Sequence, residues 1–184
     1  MFKKLSEKLG SLPILAEDLG FITEEVRDLR DSFKLPGMKI IQFAFDSEES
    51  GEGLNSTNDF LPHMYAPRSI VYTGTHDNDT LAGWLSKAKE EELSFIRSYL
   101  GYHPDNYIKA LIRLALSSVS RFAVIPMQDI LELGSEARMN IPSTLGNNWK
   151  WRASPDAFSR TRAKELKNMS SMYGRNLFIQ DSLT

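Results

Sequence analysis

The feature that most constrains this chain is a set of short apolar runs that are continuous rather than alternating. They lie at residues 12–16, 38–45, 69–73 and 122–127. A strand with one wet face alternates apolar and polar residues, whereas a strand covered on both faces does not. The four runs therefore read as buried parallel strands, and amphipathic helical segments separate them. One helix starts near Thr23, an N-cap residue, with Glu24 and Glu25 at the positive end of the helix dipole. Its apolar stripe is Ile22, Val26, Leu29 and Phe33, and Leu35-Pro36-Gly37 stops it. After the third run come two further stripes. One is Leu93, Ile96 and Leu100, ending at Gly101; the other is Ile108, Leu111, Ile112, Ala115, Leu116 and Val119. A last helix begins at Ser154-Pro155 and ends near Gly174. This alternation predicts an α/β fold with a parallel sheet and right-handed crossovers.

The 184 residues suffice for one domain with a sizeable core. A net charge of −2 gives no field that favours nucleic acid or an acidic membrane. The absence of cysteine excludes disulfides and thiolate metal sites and fits a reducing compartment. The first ten residues are no signal peptide, because lysines and a glutamate interrupt the would-be apolar stretch. They read as the last turns of a helix ending at Gly10. No run approaches the ~18 apolar residues of a membrane span. Residues 45–67 form a long loop, acidic and rich in Gly, Ser and Asn, of the kind that is usually functional or mobile.

Chemistry-bearing residues gather where apolar runs give way to loops, the place where parallel α/β proteins keep their sites. Glu17 leaves the first run beside Asp18. A carboxyl between apolar walls and a second carboxyl suits general-acid work, although the pair also suits a simple strand-end cap. His76-Asp77-Asn78-Asp79-Thr80 follows the third run. Helix capping by Asp79 or Asn78 explains one or two of these residues, not the whole set. A calcium loop fails, since Leu81 stands where an oxygen ligand is needed. A two-metal site needs more than His63, His76 and His103. A third cluster, residues 134–152, is Gly-rich and polar and carries Trp149 and Trp151. Sugar rings bind on aromatic faces, but packing of both tryptophans under the loop is the commoner outcome and the one favoured here.

Together these runs resemble the 4-α-glucanotransferases, the amylomaltases or disproportionating enzymes. The resemblance rests on Leu15-Ala16-Glu17-Asp18-Leu19-Gly20, Pro36-Gly37-Met38-Lys39 with Gln42-Phe43-Ala44-Phe45, and Phe60-Leu61-Pro62-His63. It continues in Tyr72-Thr73-Gly74-Thr75-His76-Asp77-Asn78-Asp79-Thr80 and Gly134-Ser135-Glu136-Ala137-Arg138-Met139-Asn140. It implies part of a (β/α)₈ TIM barrel, about strands 5–8 with their helices. By the same resemblance Glu17 is the general acid/base, and Asp77 the carboxylate that stabilises the oxocarbenium-like transition state. His76 binds sugar hydroxyls, and Asp18, Phe43 and Asn140 line the sites around the scissile bond. The implied substrate is maltooligosaccharide or starch-like α-1,4-glucan, cleaved with retention and without metal or organic cofactor. Nucleic acid and membrane are not implied partners, and the implied location is the cytoplasm, or a plastid in a plant.

The family nucleophile, an aspartate in an Arg-Ile-Asp-His type segment upstream of the acid/base, has no counterpart here. Residues 1–174 are therefore expected to be the C-terminal half of the catalytic barrel and 175–184 a frayed tail. Alone the chain is expected to be inactive and to need the missing N-terminal half or self-association, because half a barrel leaves unpaired edges. Two other readings remain: a non-catalytic α-glucan-binding or assembly fragment, and a metal-dependent hydrolase built on His76, Asp77 and Asp79. Asn147 stands where the family usually has glycine, and asparagine tolerates a left-handed backbone there.

Overall fold

A computed structural model describes residues 2–10, 14–20, 22–48, 51 and 53–176. Helix α1 (Phe2–Leu9) ends at Gly10, whose φ of 71° allows the left-handed turn. Helix α2 (Glu24–Ser32) follows, then strand β1 (Gly37–Ile40), α3 (Ile41–Phe45), β2 (Ser69–Tyr72) and α4 (Leu81–Leu85). Next come α5 (Glu90–Leu100), α6 (Tyr107–Ser117), β3 (Phe122–Val124), α7 (Met127–Ile130) and α8 (Arg160–Met172). The strands form one parallel sheet in the order β1-β2-β3, with Ile40 opposite Tyr72 and Tyr72 opposite Val124. The parallel α/β class is as the sequence implies.

The core lies between this sheet and the helices. One buried cluster joins Val71 of β2 with Ile41, Ala44 and Phe45 of α3, Leu81 of α4, Ile96 of α5, and Leu111, Ile112, Ala115 and Leu116 of α6. Burying each larger side chain contributes about 1.5–3 kcal/mol. α5 ends on Gly101 at φ 76°, as its sequence predicts, and α6 is capped by Asn106, whose side chain accepts from the Lys109 amide.

Several sequence expectations are corrected. Residues 12 and 13 lie outside the described residues, and 14–16 form no strand; Ala16 only donates one backbone bond to Pro36 O, at 3.1 Å. The run 38–45 is a strand only to Ile40. Beyond it, helical spacing sends Ile41, Ala44 and Phe45 into the core, an arrangement that a strand's alternation would not permit. The run 122–127 is a strand only to Val124, since Pro126 is the N-cap of α7. Val119 lies beyond α6 and is exposed. The last helix begins at Arg160 behind the Ser159 cap, preceded by a 3-10 turn at Pro155–Ala157. Thr23 has N-cap geometry but makes no side-chain cap bond, and the stripe of α2 is not buried.

From Asn58 to His63 the loop after α3 is packed against the body of the fold. Asn58 is buried; its amide donates to Phe43 O and Gly53 O, and its carbonyl accepts from the Phe60 amide. Leu61 enters the core, and the His63 ring stacks on Tyr99. At the far end, Arg175 donates to the carbonyls of Leu116, Ser118 and Ser120. The tail beyond Asn176 lies outside the described residues.

Candidate functional site

At the C-terminal ends of the strands lies one cleft of about 1100 Å³, walled by the loop after β2, by α3 and α7 where they follow β1 and β3, by the segment from Leu15 to Gly20 and by the loop after α7. Leu15, Met38, Tyr72 and Val124 form its apolar lining, and Glu17, His76, Asp77, Arg138 and Trp149 stand around it. Phe43 also reaches it from α3 and packs edge-on against Phe60 with ring centroids 5.2 Å apart. The residue types match polyhydroxyl recognition: carboxylates and amides for hydroxyls, aromatic faces for rings.

The His76-Asp77 loop is built by its own side chains. The Asn78 carbonyl oxygen accepts from the Thr75 amide and hydroxyl, at 2.8 and 2.9 Å. The cap of α4 is Thr80, which accepts from the Gly83 amide, so the simple capping alternative for Asp79 or Asn78 does not account for them. Asp79 accepts from Lys87 Nζ and Ser135 Oγ, each at 2.7 Å. Burial pushes its carboxyl up, but the bonds from Lys87, Ser135 and the Thr80 amide outweigh this and leave it below the ordinary range. Asp79 is thus held by an ammonium rather than gathered with His76 and Asp77 into a metal set. Among the described residues no group of three or more His, Asp and Glu side chains is placed to hold a metal ion.

The loop after α7 braces Asp77. Arg138 donates to Asp77 O at 2.6 Å and to Asn140 O at 2.9 Å. The Asn140 amide donates to Asp77 Oδ1 at 2.5 Å, and its backbone N–H donates to His76 O. His76 Nε2 lies 3.4 Å from the same Oδ1. Asn140 therefore contacts the carboxylate of Asp77 and is not itself among the residues lining the cleft. Among the described residues, Oδ2 of Asp77 carries no bond.

Asp18 goes elsewhere. Its Oδ2 pairs with Arg30 Nη1 at 2.5 Å, and its Oδ1 accepts from the Met38 amide at 2.6 Å. It borders a separate cavity of about 70 Å³ with Lys39 and Asp59. The close Glu17–Asp18 carboxyl pair expected from the sequence is therefore not what this geometry presents; Glu17 is exposed at the cleft and Asp18 is tied to α2 and β1.

Two contributors stand out beyond the expected set. Trp149 is half exposed with φ 64°, and its ring lies 4.9 Å from His76 at 38°. Packing beneath its loop, the reading favoured from sequence, does not describe it. The Gly146-Asn147-Asn148-Trp149 turn was the available signal, and its positive φ values fall on Gly146 and Trp149 rather than Asn147. The other is Asp129, buried beside the cleft, whose carboxylate bonds to Thr73 and Leu81. Nothing in its local sequence distinguishes it from an ordinary helical aspartate.

Residues 1–158 match the family model described as 4-alpha-glucanotransferase. A 4-alpha-glucanotransferase of Synechocystis sp. is 46% identical over 183 residues, which is 98% of this chain and 35% of that protein. One of Thermus thermophilus is 47% identical over 178 residues, 92% of this chain and 34% of its own. The chloroplastic/amyloplastic 4-alpha-glucanotransferase of Solanum tuberosum is 45% identical over 95% of the chain and 30% of its own length. Among solved structures, the amylomaltase from Streptococcus agalactiae in complex with acarbose superposes with a TM-score of 0.85 at 34% identity. That match covers 94% of this chain and 34% of the other. The chain thus spans about a third of the length of the curated relatives it matches.

Proposed function

The chain belongs to the 4-alpha-glucanotransferase family, and from that premise we propose that it supplies the acid/base and stabiliser side of a glucan-transfer site. The observation that carries this is the convergence of Glu17, His76, Asp77, Phe43 and Trp149 on one cleft at the C-terminal ends of parallel strands. The substrate class is maltooligosaccharide or starch-like α-1,4-glucan. The names of the relatives and the acarbose complex of the Streptococcus agalactiae amylomaltase support that class.

In the full enzyme a nucleophilic carboxylate, supplied from outside these residues, attacks the anomeric carbon while Glu17 protonates the departing glycosidic oxygen. The covalent glycosyl-enzyme is then attacked by the 4-hydroxyl of a second glucan, with Glu17 now taking the proton. Transfer exceeds hydrolysis when the acceptor sugar fills the site and excludes water. Asp77, with Oδ1 held by Asn140, presents Oδ2 to the donor sugar's hydroxyls and to the charge that develops at the ring. The Trp149 ring offers an apolar face to a sugar. On this reading the 184-residue chain binds glucan but does not transfer it.

Calorimetry with maltoheptaose and chromatography of the products test this. The expected outcome is binding that Asp77→Ala weakens about tenfold, the loss of one charge-assisted bond, with no transfer product. Absence of binding overturns the glucan-site reading, and robust transfer overturns the inactivity. Adding the part of the Synechocystis relative that this chain does not span should restore transfer. Binding without restoration favours the alternative, a non-catalytic glucan-binding or assembly fragment.

A further inference from the structure

We infer that Asp129 is a positioning residue that ties together the two ends of the loop carrying His76 and Asp77; its importance to the site rests on the glucan-site reading above. Its carboxylate spans the loop's roots. Oδ2 accepts from the Thr73 hydroxyl at 2.5 Å, just past the end of β2, and Oδ1 accepts from the Leu81 amide at 2.8 Å, in the first turn of α4. Everything between those two residues is the loop. Gln42 is a third tether, donating from α3 to Asp79 O at 2.8 Å.

Asp129 is 1% exposed, and among the described residues no cation pairs with it. A carboxylate buried with only neutral donors is costly, so two good hydrogen bonds are the least such a site requires. Both partners donate, and an ionised carboxylate is the side chain that accepts at two oxygens without offering a donor of its own. Thr73 and Leu81 are themselves fully buried, so the clamp sits in the rigid part of the molecule while the residues it frames stand in the cleft. The loop's inner bonds, from Thr75 to Asn78, shape its tip but do not fix where the tip sits relative to the sheet. The carboxylate from α7 does that. It also links the loop to the segment that goes on to Arg138 and Asn140, the two residues that hold Asp77 from the other side. Asp129 stands in the cleft wall, but it is 1% exposed with a bond on each oxygen, and its assigned role is to act through Asp77.

Amide hydrogen exchange on the 184-residue chain, with maltoheptaose binding measured alongside, tests the clamp. Asp129→Ala removes both bonds and is expected to speed exchange of Leu81, whose amide loses its acceptor, and of the loop amides by at least about tenfold. The amides of α5 and α6 should keep their rates, and maltoheptaose affinity should fall by a similar factor. Asp129→Asn, which still accepts from Leu81 and meets Thr73, should restore both readouts most of the way. A uniform rise across α5 and α6, no change at Leu81, or an Asn variant no better than Ala overturns the assignment. So does a loosened loop with unchanged affinity. If the Ala variant does not fold, Thr73→Val removes only the hydroxyl, and unchanged loop exchange in it is equally fatal. A wild-type chain that fails to bind maltoheptaose counts against the glucan-site reading, while the exchange data still decide the clamp.

Discussion

Burial pushes the Asp129 carboxyl above its ordinary range, only partly opposed by the bonds from Thr73 and Leu81, and the charge of Asp79 adds to the rise. The sign of the pH effect follows. A group whose folded pKa is raised binds its proton more tightly when folded, so its contribution is full below the unfolded value of about 3.9. That contribution is lost as pH rises through the folded value. Urea unfolding of the wild type and Asp129→Asn at a series of pH values should show the variant gaining on the wild type as pH rises above about 4. A constant difference between the two would mean that Asp129 ionises freely in the fold. Gly37 supplies a second residue-scale prediction. A Cβ there would run into Asp18 Oδ2 and Arg30 Nη1, the ion pair that holds the Glu17 loop to α2. Gly37 lies outside the positive-φ region, so space and not backbone conformation is the constraint. Gly37→Ala should cost about 1–3 kcal/mol, the usual cost of overpacking, read as a lower urea midpoint at unchanged slope.

The helices divide into those that use their apolar stripes and those that do not. In α6, Leu111 is fully buried and Ile112 nearly so; in α2, Val26 and Leu29 of an equally regular stripe are about half exposed. Leu111→Ala should therefore cost about 2–5 kcal/mol by cavity formation. Leu29→Ala should stay within about 0.5 kcal/mol, as for surface sites. Equal losses, measured by thermal or urea unfolding, would contradict the exposure difference. This contrast marks what the sequence can and cannot disclose. Periodicity located α2, α5 and α6, and the glycine signals ended α1 and α5 where the chain turns. It could not say whether a stripe finds a partner, because that depends on elements distant along the chain. Continuous apolar runs located the cores of β1, β2 and β3 but overran the ends of β1 and β3, since Ile41–Phe45 is as apolar as a strand yet folds as a helix whose Phe45 packs on Phe95 of α5. At the site, His76 and Asp77 were legible as a dense polar run after a strand. Asp129 was not, because its role comes from Thr73 and Leu81 meeting it in space.

At the scale of the molecule, the sheet ends on both sides without a further strand among the described residues, and β3 is the more exposed edge, with Phe122 and Val124 about half accessible. Leu15, Val26 and Leu29 add further exposed apolar surface. A parallel edge with apolar side chains is a template for another strand, and soluble proteins normally guard such an edge with lysine, proline or a covering element. Arg121 and Pro126 flank β3, but the strand itself, Phe122-Ala123-Val124, carries neither charge nor proline, and Val124 lines the cleft wall. The chain also spans about a third of the length of its curated relatives. We therefore predict that the isolated 184-residue chain associates with itself, seen in sedimentation velocity as a weight-average mass that rises with concentration. Val124→Lys places a charge on the exposed edge without touching the core packed on Val71 and should shift the distribution toward monomer. A wild-type chain that stays monomeric at all concentrations and unfolds in one cooperative step would show instead that the three-stranded sheet and its helices are self-sufficient.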